Sequence, residues 1–184
     1  MKNDLGQIRP IENADLELMR CWRNAPNIRA NMYTQHEISA DEHSVWWERT
    51  RKNSAHQYFM YEYRSVPTGI ASLNGIDRNN NCSSWAFYVS PEAPRGSGSR
   101  LEFLMLEHTF KVVRLHKLHC EVLAFNTAVI KMHQKFGFKE EGIFREQQRI
   151  GGQYVDIHRM GILASEWMAL NDEMLARLQS FERN

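Results

Sequence analysis

Arg95-Gly96-Ser97-Gly98-Ser99 is the stretch whose residue types and spacing first point to chemistry. It follows an apolar run ending at Ser90-Pro91 and precedes a helical pattern over 100–115. Strand, glycine turn and helix aim backbone N–H groups and the positive end of a helix at an anion. Glycine also admits the positive φ and close approach that such a turn needs. A Gly-x-Gly before a helix is equally an ordinary turn, so the rest of the chain decides its meaning. His116, His119 and Cys120 form the other cluster of reactive types. They have no second ligand pair at zinc spacing, so no metal site is expected there.

The elements that must position this chemistry come from an ordinary composition. With 184 residues, 42% apolar and 24% charged, the chain reads as one globular domain with a sizeable core. The formal charge is +1 and the basic residues are scattered, which argues against nucleic acid or an anionic membrane as partner. No window approaches the roughly 18 consecutive apolar residues of a membrane span, and MKNDLGQIRP lacks the apolar core of a secretion signal. Cys21, Cys82 and Cys120 are odd in number and far apart, as expected of reduced thiols in the cytoplasm.

A short first strand is expected over 6–11, limited by Pro10. Asn13 is placed to cap a helix over 14–23, and 28–32 can add one further turn. Ser39 and Glu42 have the capping-box spacing and open a helix to about Lys52. The middle reads as strands at 57–63, 69–76 and 84–89, the first two joined through Ser65-Val66-Pro67-Thr68. A strand at 118–125 and a helix at 127–135 follow, with Asn126 at the start and Gly137 as C-cap. Gly151-Gly152 joins strands at 142–150 and 153–163 as a hairpin. Residues 164–181 have apolar positions at helical spacing. The order implies an α/β (α+β) fold with a mixed, mainly antiparallel sheet.

Three stretches resemble the GNAT N-acetyltransferases. Arg95-Gly96-Ser97-Gly98 with Leu101 matches the family's Gln/Arg-x-x-Gly-x-Gly/Ala turn, except that Ala93 stands at its first position. Residues 126–138 match Asn-x-x-Ala-x-x-Leu-Tyr-x-Lys-x-Gly-Phe, with His133 where the family has Tyr. Trp22-Arg23-Asn24, Arg29, Met32, His43 and Trp46-Trp47 look like the entry of the branch acting on ribosomal-protein N-termini and nucleotide sugars. Within it, the likeness is to enzymes of the pseudaminic-acid pathway, which feeds flagellin glycosylation. These acetylate the 4-amine of UDP-4-amino-4,6-dideoxy-N-acetyl-β-L-altrosamine. The resemblance implies a seven-stranded sheet flanked by helices, its central strands splayed around acetyl-CoA. It assigns 1–165 to the acetyltransferase domain and leaves 166–184 as a C-terminal amphipathic helix packed on it or on a partner subunit, with a homodimer possible.

The resemblance also distributes roles. Arg95, Gly96, Ser97, Gly98 and Ser99 would hold the pyrophosphate, and Tyr88, Val89 and Ser90 would pair with the pantetheine and supply an oxyanion donor. Asn126 would hold the cofactor's lower arm, or is a plain N-cap. His133 would protonate the departing thiolate, which an imidazole does only as imidazolium, or else merely sits on the helix surface. Glu121 is the candidate base through a water, or lies on a solvated sheet face. Arg29, Met32, Tyr33, His43, Trp46 and Trp47 would bind the acceptor, with Tyr88 adding stacking surface; an exposed place on its helix is the plain alternative for His43. Two other readings stay open: another amine, such as a ribosomal-protein N-terminus or a polyamine, and a CoA-binding module without turnover. No metal is implied.

Overall fold

Alternation along the central strands sets the architecture. In β2 (His56–Tyr63), β3 (Val66–Asp77) and β4 (Cys82–Val89), side chains point by turns to opposite faces of the sheet. Phe59, Tyr61, Ala71, Leu73 and Trp85 join one buried cluster, while Met60 and Ile70 join a second, with Tyr58 and Tyr88 packed on it. The structure is a computed structural model that describes residues 5–181. The remaining strands are β1 (Gln7–Pro10), β5 (Lys117–Leu123), β6 (Lys139–Ile150) and β7 (Gln153–Leu163). They build a seven-stranded sheet ordered β1-β2-β3-β4-β5-β7-β6. Every neighbouring pair is antiparallel except β4 and β5.

Helices cover both faces. The smaller cluster sits under α1 (Leu16–Asn24), α2 (Pro26–Arg29) and α3 (Ala40–Thr50), through Met19, Trp22, Ile28 and Trp47. The larger lies under α4 (Ser97–Glu107), α5 (Thr127–Lys135) and α6 (Ala164–Phe181), through Leu101, Met105, Ile130 and Trp167. Trp167 of α6 is fully buried, and its indole N–H donates to Glu107 Oε1 at 2.9 Å. No helix among the described residues is long and apolar enough to cross a membrane.

Several local expectations change. Asn13 does not cap α1. It lies in a short 3-10 turn, Asn13–Asp15, and its Oδ1 accepts from the Trp47 indole at 3.2 Å. Glu12 and Asp15 form a capping box around that turn, Asp15 Oδ2 accepting from the Glu12 N–H at 2.8 Å, and no side chain caps α1. The extra helical turn falls at α2 rather than over 28–32, because Pro26 is suited to a first helical position. The β2–β3 connection shrinks to Arg64 and Ser65, both at positive φ (53° and 62°), and Pro67 enters β3 where the pairing register shifts. The helix expected to reach residue 115 ends as α at Glu107 and widens into a π turn, His108–Val112, where the Val113 N–H reaches His108 O at 2.9 Å.

Other expectations hold. Ser39 caps α3, its Oγ accepting from the Glu42 N–H at 3.1 Å. Gly137, at φ 91°, ends α5: the Phe138 N–H reaches His133 O and the Gly137 N–H reaches Gln134 O, the paired bonds of a Schellman cap. Gly151 and Gly152 turn the β6–β7 hairpin at φ 57° and 86°.

Candidate active site

The site is an opening in the sheet. β4 and β5 pair only at Cys82–Lys117, Ser83–Leu118 and Ser84–His119, then diverge. The wedge between them, about 440 Å³, has Trp85–Ser90 on one wall and Cys120–Leu123 on the other. Asn126, Val129 and His133 of the α5 region close one side, and Asn31, Met32 and Tyr33 close another. The Ser90 N–H donates to Thr68 O at 2.8 Å, toward β3. Backbone groups alternate along an antiparallel ladder, so Phe87 and Val89 direct their N–H and C=O groups to the β5 side, into the wedge.

The glycine turn lies beside the end of β4. Gly96 has φ 85°, and Ser97 is anchored by its Oγ (2.7 Å) and N–H (3.1 Å) to Pro94 O. The Arg100 N–H returns to Gly96 O, while those of Gly98 and Ser99 find no acceptor among the described residues. Arg100 props the turn from below, its Nη2 donating to Arg95 O at 3.1 Å and its guanidinium lying 4.2 Å over the Tyr63 ring. Arg95 itself is exposed. A Cβ at Gly98 would stand 3.6 Å from Met132 Sδ and Phe87 Cε2, at ordinary contact distance.

His133 is not on a helix surface. It is 2% exposed, with its Nδ1 2.7 Å from Oε1 of Glu102, a fully buried α4 residue. Its ring packs among Trp85, Phe87 and Phe138 at centroid distances of 5.4, 6.0 and 5.1 Å. Burial disfavours charge on the imidazole. The Glu102 carboxylate outweighs it, with Cys120 adding to the effect, and the imidazole is pushed up to about 10. Asn126 stands at the N-cap position, yet its side chain makes no capping hydrogen bond and lines the wedge.

Glu121 is on the β5 wall, exposed and held from both sides. Arg159 Nη1 donates to its Oε1 at 2.9 Å and the Tyr33 hydroxyl to its Oε2 at 3.1 Å. It lies on an exposed sheet face, as the plainer expectation had it, with both carboxylate oxygens bonded.

A second cavity, about 680 Å³, lies under α1 and α3 and shares Met32, Ala86, Phe87 and Tyr88 with the wedge. His43 and Trp46 line it as expected; Tyr33 lines the wedge instead. His43 is buried, against the plainer expectation of an exposed helix position, with its ring 5.1 Å from Trp46. Burial, with Arg20 nearby, lowers its imidazole below the ordinary value. Two expected residues are not brought in. Trp47 is core, buried against Ile28 and Ile70. Arg29 turns to Glu37 at 3.9 Å and lines neither cavity.

Sequence reasoning passed over the cavity's polar floor, where the Tyr58 hydroxyl donates to Asn74 Oδ1 (3.0 Å) and Asn74 Nδ2 to Ser72 Oγ (2.9 Å). It also passed over Arg23. One guanidinium nitrogen, Nη2, donates to Thr34 O at 3.3 Å, and the other, Nη1, is buried without a hydrogen-bond partner. Arg23 has no carboxylate partner among the described residues. The only signal for it in the sequence was its place in Trp22-Arg23-Asn24.

A family model described as "Acetyltransferase (GNAT) domain" matches residues 8–159. The chain belongs to the GNAT acetyltransferase family. The spermidine N(1)-acetyltransferase of Vibrio cholerae is 24% identical over 163 residues, 88% of this chain and 94% of that one. A crystal structure of spermidine N-acetyltransferase from Vibrio cholerae with CoA and spermine superimposes at a TM-score of 0.85. It is 26% identical and covers 90% of this chain and 99% of its own. The acetyltransferase PseH of Campylobacter jejuni is 22% identical, covering 73% of this chain and 83% of its own. Both the family and the N-acetyltransferase activity expected from the sequence are therefore shown. The amino-sugar likeness is not what the better-matched relatives carry.

As a GNAT enzyme the chain uses acetyl-CoA, and its residues fit that molecule. The wedge offers unpaired strand backbone, and the turn offers two unpartnered N–H groups at a helix N-terminus. Among the described residues, no group of three or more His, Cys, Asp or Glu side chains could hold a metal ion.

Proposed function

We propose that this enzyme acetylates a primary amine on a small molecule that also carries an anionic group, the amine entering from the α1–α3 cavity and the thioester from the wedge. The two spaces meet at Met32 and 86–88, so an amine and an acetyl carbon can be brought together there. Backbone N–H groups of Phe87 and Val89 then face the oxyanion of the tetrahedral intermediate. The pyrophosphate goes to the Gly98 and Ser99 N–H groups, and Asn126 to the pantetheine side.

Arg23 carries the choice of acceptor. Burial lowers its guanidinium from the ordinary value, with Tyr88 opposing and Arg29 adding to the fall, yet an arginine stays charged in proteins. A half-buried cation with an unpartnered nitrogen disfavours a polycation in the same cavity and favours phosphate or carboxylate oxygens. Arg49, also without a carboxylate partner among the described residues, adds a second positive charge at the cavity wall. A UDP-linked amino sugar, the acceptor implied by the pseudaminic-acid likeness, has this chemistry, with its sugar and base against Trp46, Tyr58 and Tyr88.

The second reading is a polyamine. By resemblance alone it is the better supported, since the spermidine enzymes match more of this chain, at higher identity, than PseH does. Asp41 and Glu42 at the cavity mouth give it a physical basis, although Glu42 is engaged by His36 at 3.0 Å. Thiol release from acetyl-CoA, measured against a UDP-4-amino sugar, spermidine, spermine and a peptide N-terminus, tests the choice. The anionic-acceptor reading expects the amino sugar to give the highest kcat/KM and Arg23→Gln to lower it at least tenfold. Faster turnover of spermidine, unaffected by Arg23→Gln, overturns it.

A further inference from the structure

The buried Glu102–His133 pair is an ion pair set among the residues of the larger apolar cluster. Glu102 lies on α4 between Leu101 and Phe103, both core residues, and it is fully buried. Only its Oε1 is used, by His133 at 2.7 Å, and Oε2 has no partner. An ion pair in apolar surroundings with one unsatisfied oxygen is poor value for stability, since apolar residues of similar volume commonly do as well or better. Its place is informative. It sits where β4 and β5 part, and His133 lines the wedge that receives the thioester.

We propose that Glu102 is a positioning residue that keeps a proton on His133, and that His133 gives this proton to the CoA sulfur as the thioester breaks. The neutral amine nitrogen attacks the acetyl carbon, and the tetrahedral intermediate collapses with cleavage of the C–S bond. The sulfur leaves as thiolate and takes a proton from the imidazolium, giving free thiol and neutral His133. The proton lost by the acetylated nitrogen passes to solvent by way of the Glu121 carboxylate, and solvent returns one to His133. Where the family has a phenol, which keeps its proton at neutral pH unaided, an imidazole needs a fixed carboxylate to do so. Glu102 supplies it from another helix and fixes Nδ1 as the bonded nitrogen, leaving Nε2 for the transfer.

The groups facing His133 can be named element by element. Glu102 comes from α4, Cys120 from β5, Trp85 and Phe87 from β4, and Phe138 follows α5 itself. Of these, Glu102 and Cys120 carry ionisable side chains. Burial pushes the Glu102 carboxyl up and His133 pulls it down, so each partner's charge depends on the other.

The test has two readouts. The first is NMR titration of the His133 imidazole in the free protein: it stays protonated past pH 9 in the wild type and titrates at or below the ordinary imidazole range, roughly 6.5, in Glu102→Gln. The second is kcat at saturating substrates. The ratio of wild type to Glu102→Gln grows at least tenfold from pH 5.5 to 8.5, with the KM for acetyl-CoA unchanged. If Glu102→Gln does not fold, Glu102→Leu/His133→Tyr, judged on kcat, restores the family's phenol without the carboxylate and is active across that range. A wild-type His133 that titrates at the ordinary value overturns the proposal. So does a ratio that is constant with pH, or a folded, acetyl-CoA-binding double variant with no activity.

Discussion

The Tyr33 hydroxyl donates to Glu121 Oε2 at 3.1 Å across 88 residues of sequence, tying the loop after α2 to the β5 wall of the wedge. Arg159 occupies the other carboxylate oxygen. Burial, reinforced by Glu121, raises the Tyr33 phenol well above its ordinary value, so Tyr33 remains a donor at any physiological pH. As the proposed base, Glu121 is held in orientation before the amine arrives.

Glu121→Gln is therefore expected to lower kcat by about a hundredfold and to alter the pH–rate profile, with the KM for acetyl-CoA unchanged. Tyr33→Phe removes one hydrogen bond and should lower kcat by no more than about tenfold. Steady-state kinetics over pH 6 to 9 checks both. An unchanged profile in Glu121→Gln removes Glu121 from proton transfer.

The two glycines of the anion turn should separate stability from binding. Gly96→Ala puts a Cβ at φ 85° and 3.2 Å from Arg100 Nη1, and should cost about 1–2 kcal/mol of stability. Gly98→Ala meets only ordinary contacts at 3.6 Å and should melt like the wild type. Gly98→Val should fold and raise the KM for acetyl-CoA by crowding the helix end. Melting curves and acetyl-CoA titrations distinguish the three.

Acid should reach the β1–β2 edge first. Arg9 bonds Asp15 at 2.7 Å and Glu62 at 2.8 Å. Hydrogen bonding from Arg9 lowers Asp15 from its ordinary 3.8, and bonding from Gln7 and then Arg9 lowers Glu62 from 4.5. A carboxylate lowered on folding stabilises fully above its unfolded value, and that contribution is lost as pH falls through the folded one. Urea titrations should show stability falling below about pH 4, and Arg9→Leu should flatten that fall while costing about 1 kcal/mol at pH 7.

Trp167 tests how far α6 belongs to the core. Trp167→Ala should cost about 3–5 kcal/mol, because it opens a cavity against Phe103 and Phe136 and strips Glu107 of its indole donor. Trp167→Phe should recover part of this, since the ring stacking is kept and only the hydrogen bond is lost. Denaturant midpoints at constant slope give the comparison.

What the sequence could show depended on how local the cause was. α5 came out with its true bounds because a polar start and a glycine end bracket nine residues of one pattern. The β6–β7 turn did so because two adjacent glycines admit one geometry. The end of α4 did not, since nothing at Glu107 stops a helix and the π turn answers to packing beneath it. In the site, the glycine turn was legible from its spacing and His133 through the GNAT resemblance of residues 126–138. Glu102 was not: a carboxylate between Leu101 and Phe103 reads as a step on an amphipathic helix until His133, 31 residues away, is placed against it. Arg23 is similar, because the lack of a partner for its Nη1 depends on the residues around it and not on its own neighbours in the chain. Arg29 and Trp47 share the motif with Met32 and Trp46, yet Arg29 turns to Glu37 and the rotation of α3 carries Trp47 into the core.

The sheet is in effect two panels, β1 to β4 and β5-β7-β6, fastened along three residue pairs at one corner. A crack of this kind would normally zip shut, since closing it would recover ladder hydrogen bonds on both sides. Beside it stands a cluster of rings: Trp85 stacked 5.1 Å from Phe87 and 6.1 Å from Phe138, with His133 packed edge-on against Trp85 and Phe87. His133 thus belongs at once to the aromatic packing beside the opening and to the buried ion pair with Glu102.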